Sequence, residues 1–188
     1  MKRESFGGRR RELEDKFFAQ RDQELLKALR EKAALRERKQ ALAEASGIAD
    51  EELLDQLQQL DIGAETLAAL SLVPLIAVAW ADGSIDSKER RAVLSAAEQK
   101  GIGTEHPGYP LLERWLQEQP DPALLATWKE YVSALSQALN EAALADLKAG
   151  LLGRARAVAE AAGGLLGLGS RVSKSEQAVL DELEQAFG

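Results

Sequence analysis

The sequence predicts an all-α protein. Aromatic residues make up 5% of the chain, and alanine and leucine dominate its apolar residues. This composition suits helix-on-helix packing better than β-sheets, which favour β-branched and aromatic residues. Residues 9–45 contain neither proline nor glycine, and residues 86–89 and 173–176 both have the sequence of a helix capping box. We therefore expect a compact helical bundle preceded by a long N-terminal helix.

The N-terminal segment is predicted to be one long, charged helix over residues 9–45. Its apolar residues form a narrow, drifting stripe and no sustained heptad seam. Residues 1–45 hold 13 Lys and Arg against 9 Asp and Glu, a net charge of +4. We predict an arm at residues 1–45 and a helical domain at residues 46–188. One hypothesis for the arm is that it pairs two molecules into an antiparallel homodimer.

Turn and capping residues divide the rest of the chain into shorter helices. Asp50 and Asp121 have the residue type of N-caps, Pro110 is placed to open a helix, and Pro74 should kink or split the apolar helix that contains it. The predicted helices cover residues 51–60, 64–81, 87–101, 111–119, 122–139, 141–162 and 174–187. With the arm, this gives about eight helices.

Composition excludes several classes of function. The chain has no cysteine and a single histidine, His106, which removes thiol chemistry and limits imidazole chemistry. We predict that the protein is not an enzyme. The glycine-rich residues 163–170 lack the lysine of a P-loop, so we expect no nucleotide site there.

Charge and hydropathy indicate where the protein acts. Residues 46–188 hold 11 basic and 22 acidic residues, and this acidic body argues against nucleic acid as a partner. No uncharged stretch reaches the roughly 20 apolar residues of a membrane span, and no apolar segment follows the basic N-terminus. We expect a cytoplasmic protein whose acidic body or N-terminal helix binds a protein partner.

Two stretches of the chain align with each other. Residues 81–89 and 168–176 each end in a capping box, and an apolar residue, Ile85 or Val172, stands just before each cap. Each is followed by an apolar helix of similar length. The pattern predicts a pseudo-two-fold repeat of helix, loop and capped helix.

The first stretch, Ala81-Asp82-Gly83-Ser84-Ile85-Asp86-Ser87-Lys88-Glu89, resembles the TerB-like family, whose hallmark is an apolar helix running into A-D-G-x-I-D-x-x-E. The resemblance extends over residues 67–187. It implies an all-helical, stress-associated module of the tellurite-resistance type. It also implies binding of a divalent cation, Ca²⁺ or Mg²⁺.

The cation ligands that the TerB-like resemblance implies are Asp82, Asp86 and Glu89. The second loop offers Gly169 and Ser173 in place of acids, which leaves Glu176 as its one carboxylate. A hard cation prefers six or more oxygen ligands. The same residues have a structural interpretation, in which Asp86 and Glu89 cap a helix and Asp82 makes the preceding turn.

The N-terminus carries a second resemblance. Residues 6–25 are similar to the opening of the bacterial zeta-type inhibitors of F-type ATPases; the matching positions are Phe6, Arg9, Glu14, Lys16, Phe17 and residues 22–25. In that family an N-terminal helical segment inserts into the rotary enzyme. This resemblance implies the alternative function, a regulatory or inhibitory protein whose N-terminal helix binds a larger ATPase or another assembly.

Overall fold

The computed structural model describes residues 6–162 and 172–187, and this part of the chain is all-helical. It contains one 3-10 helix at Leu67–Leu72 and no β-strand. The α-helices are α1 (Phe6–Ser46), α2 (Glu51–Gln59), α3 (Val73–Ala79), α4 (Ser87–Gln99), α5 (Tyr109–Gln117), α6 (Pro122–Ala138), α7 (Glu141–Ala162) and α8 (Lys174–Gln185). The predicted all-α fold class is confirmed.

The chain divides into two compact units, Met1–Gln40 and Ala41–Gly188. The boundary lies inside α1, so the last turns of this helix belong to the second unit. There Leu42 has no exposed surface. The second unit therefore takes the end of α1 into its own core.

In the first unit, α1 keeps several large apolar side chains in solvent. Those that are more than half exposed are Phe17, Leu25, Leu26, Leu29 and Leu35. Between them, Lys27 and Glu31 form an exposed ion pair with a 3.9 Å separation, which contributes little to stability. The helix-forming residues of this unit thus make a helix that leaves Leu25, Leu26, Leu29 and Leu35 exposed.

The core of the second unit is built around the short helix α3. Its residues are apolar throughout, and six of its seven residues are buried. α3 packs against α4, α6, α7 and α8. α7 presents Leu151, Ala155, Val158 and Ala159 as buried residues at helical spacing, and it packs against α3, α4 and α8.

The predicted helix over residues 64–81 is not continuous. A 3-10 helix covers Leu67–Leu72, α3 starts at Val73, and Pro74 lies in its first turn. Proline is accepted there because the first N–H groups of a helix have no partner within the helix. The split expected from Pro74 therefore falls one residue before it.

The other helix starts agree with the capping residues. Asp50 accepts hydrogen bonds from the backbone N–H groups of Glu52 and Leu53, at 2.9 and 3.1 Å. Asp121 accepts one from the N–H of Ala123 at 2.8 Å. These side chains satisfy donors that a helix N-terminus leaves open. α5 begins at Tyr109, two residues earlier than predicted, with Pro110 in its first turn.

Two side chains hold the end of α5 against the rest of the second unit. The indole N–H of Trp80 donates to the carbonyl of Trp115 at 2.8 Å, and Nη1 of Arg90 donates to the carbonyl of Leu116 at 3.1 Å. The last carbonyls of a helix need such outside donors. Trp115 and Trp128 are buried, whereas Trp80 is half-buried.

The last described residues pack into the same core. The rings of Trp128 and Phe187 lie 6.1 Å apart at 72°, an edge-to-face contact. Both side chains are buried. Within the described part of the chain, no helix is long and apolar enough to cross a membrane.

We expect Leu57→Ala to reduce the free energy of unfolding by about 2–5 kcal/mol, because Leu57 is fully buried and the change leaves a cavity. Urea unfolding followed by circular dichroism measures this. Leu35→Ala is the matched control, since it removes the same atoms from a side chain that is 55% exposed. Its effect should stay within about 0.5 kcal/mol. Equal losses from both variants would contradict the assigned core.

Candidate acidic site at the start of α4

The loop between α3 and α4 is a tight turn built around Asp82 and Gly83. The N–H of Gly83 donates to the carbonyl of Trp80 at 2.9 Å. Gly83 has a φ of +89°, a conformation that favours glycine. Asp82 is exposed, and its Oδ1 accepts hydrogen bonds from the N–H and hydroxyl of Ser84, at 3.0 and 3.3 Å. The Asp82 carboxylate therefore helps to shape its own turn.

A complete capping box starts α4. Asp86 Oδ1 accepts hydrogen bonds from the N–H groups of Lys88 and Glu89, at 2.6 and 2.8 Å. In return, Oε2 of Glu89 accepts the N–H of Asp86 at 2.7 Å. The predicted capping role of Asp86 and Glu89 is confirmed. One oxygen of each carboxylate is committed to the backbone of α4.

The two carboxylates of this box have opposite pKa shifts. The hydrogen bond from the Glu89 N–H lowers the pKa of Asp86, with help from the N–H and the charge of Lys88. Burial raises the pKa of Glu89, which is only 5% exposed. The charges of Asp86, Asp82 and Glu176 raise it further, against the hydrogen bond from the Asp86 N–H. The site is thus a place where negative charge is already crowded.

The second capping box has the same geometry at the start of α8. Oε2 of Glu176 accepts the N–H of Ser173 at 2.5 Å, and Oγ of Ser173 accepts the N–H of Glu176 at 3.2 Å. Glu176 is buried like Glu89, and the apolar residue before each cap, Val172 or Ile85, packs against the core. The charge of Glu176 acts on Glu89. Glu176 lies 87 positions after Glu89 in the sequence, yet its charge contributes to the raised pKa of Glu89.

The other half of the predicted repeat lies outside the described residues. Gly169 and the glycine-rich residues 163–170, for which we predicted no nucleotide site, belong to the segment between α7 and Val172. The comparison of the two loops therefore rests on residues 172–176. The starts of α4 and α8 both have a capping box, and each box includes a buried glutamate.

The capping residues do not suit a hard divalent cation. Asp86 Oδ1 and Glu89 Oε2 already accept backbone N–H groups, and Asp82 Oδ1 holds Ser84. Ca²⁺ takes six to eight oxygen ligands. In residues 6–162 and 172–187, no three Asp, Glu or His side chains are arranged to hold a metal ion. The cation site at Asp82, Asp86 and Glu89 stays a prediction of the sequence.

His106 also has a structural contact. Its Nδ1 accepts the backbone N–H of Gly108 at 2.9 Å, while its carbonyl accepts the N–H of Tyr109. These bonds hold the turn that leads into α5. The ring therefore has one nitrogen committed to the loop.

An apolar groove of about 300 Å³ lies close to the loop between α3 and α4. It is formed by α3, the connection from α5 to α6, and α8; Trp80, Pro120, Asp121, Pro122, Leu125 and Val179 are among the residues that line it. Asp121 is the one acidic or basic side chain among its lining residues, and its carboxylate caps α6. The sequence analysis did not find this groove, because its walls come from three distant segments.

We expect Asp86→Ala to lower stability by about 1 kcal/mol, since it removes two hydrogen bonds from the first turn of α4. This corresponds to a fall in Tm of about 2–4 °C for a domain of this size. Calorimetric scans without metal measure it. A rise in Tm with Ca²⁺ that Asp82→Asn with Asp86→Asn abolishes would instead favour the cation site.

We expect Glu176→Gln to lower the pKa of Glu89, because it removes a neighbouring negative charge while the glutamine oxygen can still accept the Ser173 N–H. An NMR titration of the side-chain carboxyl carbons measures this pKa.

The sign of the accompanying pH dependence follows from the raised pKa of Glu89. The folded state takes up the Glu89 proton more readily than the unfolded chain, so ionised Glu89 opposes folding at neutral pH. That penalty disappears as pH falls through the folded pKa.

Glu160→Gln is the control for the NMR titration, because Glu160 is exposed and does not contribute to the pKa shift of Glu89. If Glu176→Gln and Glu160→Gln changed the pKa of Glu89 equally, the assigned effect of the Glu176 charge on Glu89 would be contradicted.

Comparisons with known proteins identify no relative of this chain. No family model, no curated protein and no solved structure matches it. The TerB-like and zeta-type resemblances therefore rest on the motif residues named above.

Proposed function

We propose that this chain is a non-enzymatic protein-interaction module, and that it binds protein through the exposed apolar side chains of α1. The observation that carries the proposal is a cluster of three leucines within five residues. Leu25, Leu26 and Leu29 are 59%, 53% and 55% exposed. We call these three residues the leucine patch.

The energetic cost of the leucine patch supports a binding role. Burying a leucine stabilises a protein by roughly 1.5–3 kcal/mol relative to leaving it in water. Single exposed apolar residues are ordinary, but a contiguous group of them marks an interaction surface. The large apolar side chains that are more than half exposed all lie on α1 within the described part of the chain. A partner that covers the leucine patch recovers that free energy.

Contacts elsewhere support a binding module over an enzyme. The lone imidazole of His106 holds a turn, and the apolar groove offers one carboxylate, which already caps a helix. General acid–base chemistry needs groups placed to exchange protons with a substrate. Among the described residues, several carboxylates instead accept backbone N–H groups at the starts of helices; these are Asp50, Asp86, Glu89, Asp121 and Glu176.

The resemblances supply two settings for such a module. The TerB-like motif supports a stress-associated assembly of the tellurite-resistance type, with residues 81–89 as a structural signature. The zeta-type resemblance of residues 6–25 supports the alternative, in which α1 engages a larger ATPase or another assembly as a regulatory helix. Both settings use the protein as a binding partner, and the leucine patch fits either of them.

We expect the full chain carrying Leu25→Gln with Leu29→Gln to lose partner capture by about tenfold or more, because two buried leucines account for more than 1.4 kcal/mol of binding. Affinity capture from a lysate of the source organism, followed by quantitative mass spectrometry, measures this. Glutamine is a good helix former, so α1 should persist.

Lys27→Gln is the matched control for this experiment. It places the same new residue between the two leucines but on the opposite side of the helix, since 3.6 residues make one turn. Its side chain is 79% exposed. Circular dichroism should show equal helix content in all three proteins. Equal recovery of every captured protein by the leucine variant and the wild type would refute the proposal.

A further inference from the structure

We infer that the occupant of the leucine patch is a second copy of this chain, with the two α1 helices antiparallel and their two-fold axis beside residue 27. The inference rests on the proposed function, since it names the partner of the same surface. Leu25 and Leu29 are four residues apart and lie on one face of α1. In an antiparallel pair centred there, Leu25 of one copy lies opposite Leu29 of the other.

The charges of α1 change sign at the leucine patch. Residues 12–24 contain five acidic and two basic residues, a net charge of −3. Residues 27–39 contain six basic and two acidic residues, a net charge of +4. A parallel pair would place each half against its own sign. An antiparallel pair places the acidic half of one helix against the basic half of the other, which favours association and fixes orientation.

The register set by the leucines also aligns individual charges. When residue 25 lies opposite residue 29 of the second copy, Lys32 falls opposite position 22 and Lys39 opposite position 15. Positions 15 and 22 are both aspartate. The same register therefore satisfies both the apolar centre and the charged ends.

The length of the pairing segment is sufficient for a helix pair. Residues 15–39 span about 36 Å of helix, or between three and four heptads. All of these residues lie within α1 and within the first compact unit. Leu26 lies beside the proposed two-fold axis and would meet the Leu26 of the second copy.

An acidic partner protein fits α1 less well than a second copy of this chain does. The net charge of the whole arm would attract it, but residues 12–24 would repel it. A partner that satisfies both halves must carry a basic segment and an acidic segment in the reverse order, with apolar residues between them. The chain itself supplies that arrangement.

Sedimentation equilibrium of the full chain tests self-association. We expect a dimer whose dissociation constant rises about 100-fold or more with Leu25→Gln and Leu29→Gln, because both copies lose two buried leucines. Lys27→Gln should change the constant by less than about threefold, as expected for an exposed charge. Added salt should weaken the dimer, since charge pairs at a helix surface are screened.

The orientation of the helices has a separate readout. The chain has no cysteine, so a spin label on Arg38→Cys occupies the one thiol of the protein. In the antiparallel pair the two labelled positions are 22 residues apart along the axis, which is about 33 Å. In a parallel pair they would be separated by about 10 Å, the spacing between helix axes. Pulsed electron spin resonance distinguishes the two distances.

Each outcome separates self-pairing from the proposed function. A dimer that dissociates in the leucine variant and has the long spin–spin distance supports the inference. A parallel dimer, or one that the leucine variant leaves intact, overturns it. A monomer that captures another protein through Leu25 and Leu29 also overturns it but keeps the proposed function. A monomer with no such capture overturns both.

Discussion

Burial of α3 is the constraint on which the second unit depends. This helix has only seven residues, all apolar, and so short a helix is unstable in water without tertiary packing. It must be covered on every side, and α4, α6, α7 and α8 all pack against it. Fully buried alanines on both α3 and α7, Ala79, Ala155 and Ala159, leave little side-chain volume between the two helices. α4, α6, α7 and α8 together supply the cover that α3 needs.

The two capping boxes start α4 and α8, two of the helices that enclose α3. α4 and α8 both pack against α7, and both begin with a buried glutamate that returns to the N-cap backbone. The helix N-terminus favours a carboxylate at this position, while at Glu89 burial and the neighbouring acids raise the pKa. The acidic motif of residues 81–89 therefore has a complete explanation in helix capping. One oxygen of each of the Asp82, Asp86 and Glu89 carboxylates accepts hydrogen bonds within this turn and helix start.

The two units differ in how they use leucine. In the second unit, Leu57, Leu72 and Leu75 have no exposed surface, whereas Leu25 and Leu29 in the first unit are more than half exposed. Strong helix formers stabilise α1 through local propensity, so its leucines are not needed to form the helix. This leaves them available for the association that we propose. The change in sign of the α1 charges at the same leucines would give that association a preferred direction.

Local chemistry was legible in the sequence. The N-caps at Asp50 and Asp121, both capping boxes and the long uninterrupted helix α1 were predicted because each depends on residues within one turn of helix. The structure bears out each of them. The split of residues 64–81 into a 3-10 helix and α3 was only half predicted. Proline predicts a break in the helix, but packing against neighbouring elements decides which type of helix the preceding residues form.

Contacts between distant segments were decided by the tertiary structure alone. The effect of the Glu176 charge on Glu89, the hydrogen bond from Trp80 to the end of α5, and the apolar groove each involve residues from distant segments. Helical periodicity identifies which face of a helix is apolar, but not which other helix covers it. The sequence by itself determined the helices, their caps and the charge pattern of α1. Only three-dimensional packing determined which carboxylates became buried and which leucines stayed in water, because burial depends on surfaces that meet across the fold.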